Sequence, residues 1–265
     1  MTLAKANQAT LTVIVATNPA TYNTTQTLTS SGGNGTGAIT YSVGSSSACS
    51  IVSGNQLKIT SGTGTCSVTD TKAADTNYNQ ATSSPVSVTV QKATPTLSVT
   101  NIPVNAVYLG SFSPIYAYTG NGKTSVTSGS TSYCTVTSSG VVSFVGVGTN
   151  VCALTAHATA TNNYLGVDSV APTFSIGKAT TTITIKNMPP PGTYKKNSGF
   201  TATYVYSGDG TPSVTSSTLS VCTVTGNSSV MFISSGTCTL TAHATAGTKY
   251  NAATGSPQSS KIMVK

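Results

Sequence analysis

The sequence contains no glutamate, no arginine and no tryptophan. Its only acids are Asp70, Asp75, Asp168 and Asp209, set against twelve lysines. Charged residues make up 6% of the 265, where about a quarter is usual for soluble domains. Each absence removes a class of function. Four dispersed aspartates offer no paired carboxylates for acid–base chemistry, so an enzyme is not expected. They also offer no clustered oxygen ligands for calcium. Without arginine there is no bidentate partner for phosphate or guanine, and only Lys195 and Lys196 are adjacent. The net charge of +8 therefore reads as solvated lysines on a neutral surface, not as a nucleic-acid face. No apolar run approaches the roughly 20 residues that span a bilayer as a helix, and TLAKANQ after Met1 does not read as a secretion signal, so the expectation is that a signal was removed or that this is a piece of something longer. Helix formers are sparse and no long 3.6-residue period occurs. What remains is threonine, serine and valine, whose β-branched members fit the pleated surface of a strand.

The chain repeats itself. Lys5, Lys92 and Lys178 open similar phrases. CSVTDTKAADTNY (66–78), CALTAHATATNNY (152–164) and CTLTAHATAGTKY (238–250) are three versions of one stretch, with Thr71 where the others have His157 and His243. Tyrosines recur at Tyr22, Tyr108 and Tyr194, and again at Tyr78, Tyr164 and Tyr250. Gly33-Asn34-Gly35, Gly120-Asn121-Gly122 and Gly208-Asp209-Gly210 read as matching hairpin turns. In the first repeat, short alternating segments at 9–15, 24–30, 38–43, 49–52, 56–60, 65–71 and 85–91 predict seven strands. Turns every eight to twelve residues make that an immunoglobulin-like β-sandwich. The expected domains are 5–91, 92–177 and 178–265, with 1–4 as a terminal extension or the tail of a preceding repeat's last strand.

The stretch GTCSVTDTKAADTNY (64–78), its two copies and the V-x-V-x-K-A junction (88–93) resemble bacterial immunoglobulin-like (Big-type) tandem repeats. These occur in surface adhesins and in extracellular stalk or fibre proteins, and the resemblance covers essentially the whole chain. It implies an all-β rod of three tandem sandwiches, exported to the bacterial surface or beyond, with a structural role. One departure from antibody domains stands out. The first cysteine of each repeat follows the glycine-rich turn, and no tryptophan is present to pack on a bridge.

Six cysteines allow 15 connectivities. Each repeat holds one pair, so the economical solution is Cys49–Cys66, Cys134–Cys152 and Cys222–Cys238. Zinc is the rival, but no C-x-x-C spacing occurs and the first repeat has no histidine. Disulfides place the chain in an oxidising compartment. The acid nearest in sequence to His157 is Asp168 and the third repeat offers only Asp209, so no catalytic triad, metal or cofactor is expected. Lys72 with Asp70 or Asp75 is the only seed for a Lys–Asn isopeptide cross-link, and it lies in one repeat alone.

Tyr116 and Tyr118, and Tyr204 and Tyr206, alternate at period two, so each pair shares one strand face. Thr29 and Ser31 occupy the matching places in the first repeat by sequence. The change suggests an outward face able to stack on sugar rings, against a role in covering the sandwich edge. Tyr78, Tyr164 and Tyr250 are expected to pin the loop before each last strand. The junction VSVTVQKATPTLSV (86–99) has no Gly/Ser/Pro-rich linker, which predicts restricted hinge motion. The leading expectation is thus a stalk or filament subunit whose partners are flanking repeats or further copies, head-to-tail. A surface-glycan-binding module is the alternative.

Overall fold

The computed structural model describes residues 3–265; Met1 and Thr2 of the expected extension 1–4 lie outside the described residues. The chain is all-β. It divides into two compact units. One comprises Met1–Thr100, Ile115–Ser125 and Ala156–Val170, and the other Asn101–Pro114, Val126–Thr155 and Ala171–Lys265.

The first unit contains the whole first repeat. Its strands are β1 (Thr12–Val15), β2 (Ala20–Thr21), β3 (Thr25–Ser31), β4 (Ile39–Ser42), β5 (Cys49–Ser53), β6 (Gln56–Ile59), β7 (Thr65–Lys72), β8 (Ala81–Thr82) and β9 (Val86–Gln91). Two sheets form, ordered β1-β3-β6-β5 and β2-β9-β7-β4, with β8 on β7. This is the immunoglobulin arrangement, two packed sheets between which the chain crosses repeatedly. Alternation decides which side chains fill the space between. In β7, Cys66, Val68 and Asp70 are buried while their neighbours are half-buried or exposed. Leu28, Leu57, Ile59 and Val68 are sealed from solvent. Each contributes about 1.5–3 kcal/mol of burial. The sequence missed β2 and β8, which are too short to show a period.

Elsewhere in this unit, Leu97–Val99 pairs with Tyr116–Tyr118, and Leu97 packs with Ala156 and Ala158.

The second unit contains the third repeat with the same layout. Gly192–Tyr194, Gln258–Val264, Gly236–Ala244 and Pro212–Ser216 make one sheet. Ile183–Ile185 pairs with Tyr204–Tyr206, and Gly199–Thr201 with Ser229–Phe232 and Cys222–Thr225. The unit also holds Ser111–Phe112, Val142–Phe144 and Cys134–Val136 as a sheet. There Phe112, Phe144 and Phe174 meet with ring centroids 5.7–6.0 Å apart.

The glycine-rich turns do not close hairpins. The first joins β3 to β4, which belong to different sheets. The turn presses on the loop after β7. A Cβ on Gly37 would sit 1.9 Å from the Ala73 carbonyl oxygen, on Gly122 2.0 Å from that of Thr159, and on Gly210 1.8 Å from that of Thr245. Only glycine allows that approach. The contact also shifts the repeat alignment: Gly35-Thr36-Gly37, not Gly33-Asn34-Gly35, is the first repeat's counterpart of Gly120-Asn121-Gly122.

Candidate functional site: the tyrosine joints

Two aromatic pairs cross from one repeat to the next. In the first unit, the Tyr22 and Tyr164 rings lie 5.3 Å apart with planes at 79°. In the second, Tyr108 and Tyr250 lie 5.5 Å apart at 84°. Both are edge-to-face, the arrangement that sets a positive ring edge against a negative face.

Local structure places each ring. Tyr22 follows β2, and its N–H donates to the Gln91 carbonyl at 2.8 Å; Tyr108 does the same to Gly177 at 2.9 Å. Each of these rings therefore stands where its repeat's last strand hands over to the next repeat. The opposing ring sits in the loop before a last strand, tied to the residue that enters that repeat. Ala93 donates to Asn163 O and accepts from Leu165 N, both at 2.9 Å. Ala179 is held likewise by Lys249 and Asn251, at 3.0 and 2.9 Å. Ala6 is held by Asn77 and Asn79.

The loop itself is fastened to the glycine turn by one polar side chain per repeat. Asp75 Oδ1 accepts the N–H groups of Asn77 and Tyr78, both at 2.8 Å, and its Oδ2 accepts that of Thr36. Those backbone donors hold its carboxyl down at about 2. Thr161 takes over in the second repeat, donating to Asn121 and accepting from Tyr164 N. In the third repeat the carboxylate moves across to the turn. Asp209 accepts from the Thr248 hydroxyl and from the N–H groups of Lys249 and Tyr250, and is lowered by the Thr248 bond first. Either side of the contact can supply the acceptor.

The two joints differ beside the rings. Gly62 N–H donates to Asn163 Oδ1 at 3.0 Å. A Cβ on Gly62 would come within 2.8–3.0 Å of the backbone of Asn162, Asn163 and Lys92. In the second joint Lys249 holds Asn163's place, its ammonium 4.9 Å from the Tyr108 ring centroid and 3.4 Å from the hydroxyl. Cation–π attraction there does the work of the amide.

The other residues singled out in sequence fall as follows. Cys49 and Cys66, Cys134 and Cys152, and Cys222 and Cys238 are bridged, and no described cysteine is free. The first bridge ties β5 to β7, across the two sheets. His157 Nδ1 lies 2.7 Å from Asp168 Oδ1 on the paired strand, so the acid only near in sequence is a direct partner. The matching contact is His243 with Thr254 at 3.2 Å in the third repeat and Thr71 with Thr82 at 3.0 Å in the first. The position is thus a cross-strand polar pair, filled by whichever residues can bond. Among the described residues no cluster of three or more His, Cys, Asp or Glu could hold a metal ion. Asp70 is buried and accepts from the Ser30 hydroxyl, and Asp75 serves its loop, so both acids considered beside Lys72 are engaged elsewhere.

Tyr116, Tyr118, Tyr204 and Tyr206 do not face outward. All four are half-buried against core residues, and the exposed members of their strands are Ala117 and Val205. Burial raises the Tyr116 and Tyr204 phenols. Gly122 N–H donates to the Tyr118 hydroxyl at 3.1 Å and Gly210 N–H to that of Tyr206 at 3.0 Å. The Tyr204 hydroxyl donates to Asn227 O at 2.8 Å.

The joint itself left a trace in the sequence. By letters two tyrosine series recur in step, but in the third repeat Lys196, not Tyr194, stands directly before the left-handed residue, as Tyr22 and Tyr108 do. Its N–H donates to the Lys265 carbonyl at 3.1 Å, while Tyr194 lies two residues earlier, opposite Val264, as Ala20 lies opposite Val90. Nothing in the spacing says which ring meets which.

No protein-family model matches the chain, and no curated protein matches it. Among solved structures it is similar to the Drosophila N-cadherin EC1-4 structure, with 10% identity over 98% of this chain and 76% of that one, at a TM-score of 0.34. The surface layer protein SbsC, domains 1-6, gives 16% identity over 99% of this chain and 41% of that one, at 0.32. Titin domains I67-I69 give 10% over 96% and 98%, at 0.35. The chain thus spans less than half of the surface-layer fragment it resembles. The immunoglobulin-like fold itself is read from the chain's own sheet order and repeated strand pairing.

Proposed function

We propose that this chain is a non-catalytic spacer in an exported bacterial Big-type array, serving as the stalk of a surface adhesin or as part of an extracellular filament. One observation carries the reading. The same tyrosine joint is built twice, from the same two positions, with different auxiliary chemistry beside each ring pair. A connection remade with different residues is one whose geometry matters. The three bridges fit an oxidising location. They also suit a load-bearing role, because each closes a loop of 16–18 residues that cannot lengthen under tension.

Single-molecule stretching between the chain termini tests this. The spacer reading expects three discrete yielding steps, one per repeat. Reduction should lengthen each step by about 50–65 Å, the span of the loop released. Smooth extension without steps would overturn it. Saturable binding of the chain to a glycan panel would favour the binding-module alternative instead.

A further inference from the structure

We propose that Asn121 is a self-modification site: the folded chain converts it to aspartate through a succinimide, giving the second repeat the carboxylate latch that Asp209 supplies in the third. This goes beyond the spacer reading and does not depend on it.

Asn121 and Asp209 stand at one position. Each lies between the two glycines of its turn, and the glycine that follows donates its N–H to a tyrosine hydroxyl, Gly122 to Tyr118 at 3.1 Å and Gly210 to Tyr206 at 3.0 Å. Each also fastens the loop that carries a joint ring. Asn121 does so through Thr161, whose hydroxyl donates to Asn121 Oδ1 at 2.8 Å and accepts from Tyr164 N–H at 3.2 Å. In the third repeat Gly247 stands where Thr161 does, its N–H donating to Tyr250 O as Thr161 N–H does to Tyr164 O. The Asp209 carboxylate fills the space so cleared: a Cβ on Gly247 would lie 1.8 Å from its Oδ1. The turn therefore accommodates an acid at this position.

The surroundings of Asn121 supply the parts of an acyl transfer. Gly122 N is the nucleophile, and no side chain on Gly122 hinders it. The Tyr118 hydroxyl, which holds the Gly122 N–H, takes that proton while passing its own to water. The Thr161 hydroxyl stabilises the oxyanion that forms on Oδ1. Asn121 is exposed, and among the described residues its amide nitrogen has no partner, so ammonia leaves into solvent, protonated by water. A bond forms between Gly122 N and Asn121 Cγ, and the Cγ–Nδ2 bond breaks. One water then opens the ring. Thr161 still polarises the Cγ carbonyl, so water adds there, the bond from Cγ to Gly122 N breaks, and ordinary aspartate results instead of isoaspartate. The new carboxylate accepts the Thr161 hydroxyl more strongly than the amide did, because the acceptor is charged.

Asn34-Gly35 is the other Asn-Gly pair in the sequence. Asn34 is exposed as well, but Gly35 N–H donates to the Gln8 amide oxygen at 3.1 Å, which has no proton to pass on.

Incubating the native chain in mildly alkaline buffer, then reduction, lysine-specific digestion and mass spectrometry, tests the proposal. Peptide 93–123 should gain the mass difference between an amide and a carboxyl at Asn121. The product should co-elute with the same peptide from an Asn121→Asp chain, and aspartate should exceed isoaspartate. Conversion should outpace that of Asn34 in peptide 6–58. In urea the preference for aspartate should vanish. Tyr118→Phe should slow the reaction at least about tenfold, and Thr161→Val should slow it and shift the product towards isoaspartate. An Asn121 that survives in the folded chain while the urea-unfolded chain converts overturns the proposal. So does a folded product dominated by isoaspartate, or a wild-type rate in both variants. None of these results touches the tyrosine joints or the spacer reading.

Discussion

Ser30 and Asp70 hold, in the first repeat, the two positions that Tyr116 and Ala156 hold in the second and Tyr204 and Ala242 in the third. The register shows it. Ser30 lies opposite Val13, Tyr116 opposite Val99 and Tyr204 opposite Ile185, while Asp70, Ala156 and Ala242 each fall four residues after a bridged cysteine. A large ring over alanine is exchanged for a small hydroxyl beside a carboxylate. The Ser30 hydroxyl donates to Asp70 Oδ2, and Ser83 Oγ accepts Asp70's own N–H at 3.0 Å. Burial raises the neighbouring Tyr41 phenol first, and the Asp70 charge adds to it.

That exchange predicts coupling. Ala156→Asp alone puts a carboxylate beneath the Tyr116 ring with no hydroxyl to meet it, and should cost about 1–3 kcal/mol or more. Adding Tyr116→Ser should return at least about 1 kcal/mol of the summed loss. Chemical denaturation of the four chains measures it. Strict additivity would mean that the two positions do not share a site.

Leu109 has φ of +67° and is 68% exposed, where Asn23 and Asn197 adopt +66° and +62° in the other repeats. Asparagine tolerates the left-handed region, whereas a branched aliphatic side chain does not. All three donate their N–H to the residue ending a core strand, Ile59, Phe144 or Phe232, at 3.0 Å, so the conformation is imposed. Leu109→Asn should stabilise by about 1 kcal/mol and Asn197→Leu should destabilise by a similar amount. Melting temperatures that move the other way would refute this.

Asp75 gives a pH dependence. Its carboxyl is held at about 2, against an ordinary 3.8. The folded state therefore resists the proton that the unfolded chain accepts. The contribution is complete above about pH 4 and disappears as pH falls through the folded value near 2. The melting-temperature advantage of wild type over Asp75→Asn should shrink between pH 5 and pH 2. An advantage unchanged at pH 2 would assign it to something other than this carboxylate.

Each disulfide closes a loop of 16–18 residues. Replacing Cys134 and Cys152 together by alanine should lower stability by about 3 kcal/mol through greater freedom of the unfolded chain. The loss should appear in the transition of the second repeat and leave the Cys49–Cys66 and Cys222–Cys238 bridges intact by peptide mapping.

Much of this was legible in the sequence. The segments at 24–30, 49–52, 65–71 and 85–91 are strands within a residue or two, because alternation is a local property of one buried face. The tyrosine pairs differ from the sequence expectation because the first repeat carries one extra residue before its turn. Matching Gly33-Asn34-Gly35 by letters sets Thr29 and Ser31 against Tyr116 and Tyr118. Strand pairing sets Ser30 there, with Gly32 next along. A two-residue slip in the turn becomes a one-residue slip on the strand, and that moves a side chain to the opposite face. The joints left recurring tyrosines in the sequence but could not be read as pairs. Tyr22 and Tyr164 meet across 142 positions, and that depends on how one folded surface sits on another.

The account stands on the claim that neighbouring repeats are coupled through these rings. The most direct test is a double-mutant cycle on Tyr22→Ala and Tyr164→Ala, read by denaturation of the full chain. Tyr164 is half-buried, so its single substitution mixes loop packing with the joint, and only the cycle separates them. An edge-to-face pair predicts a coupling energy of about 0.5–1.5 kcal/mol. Losses that add within about 0.3 kcal/mol would contradict the account, showing rings that lie together without joining the repeats.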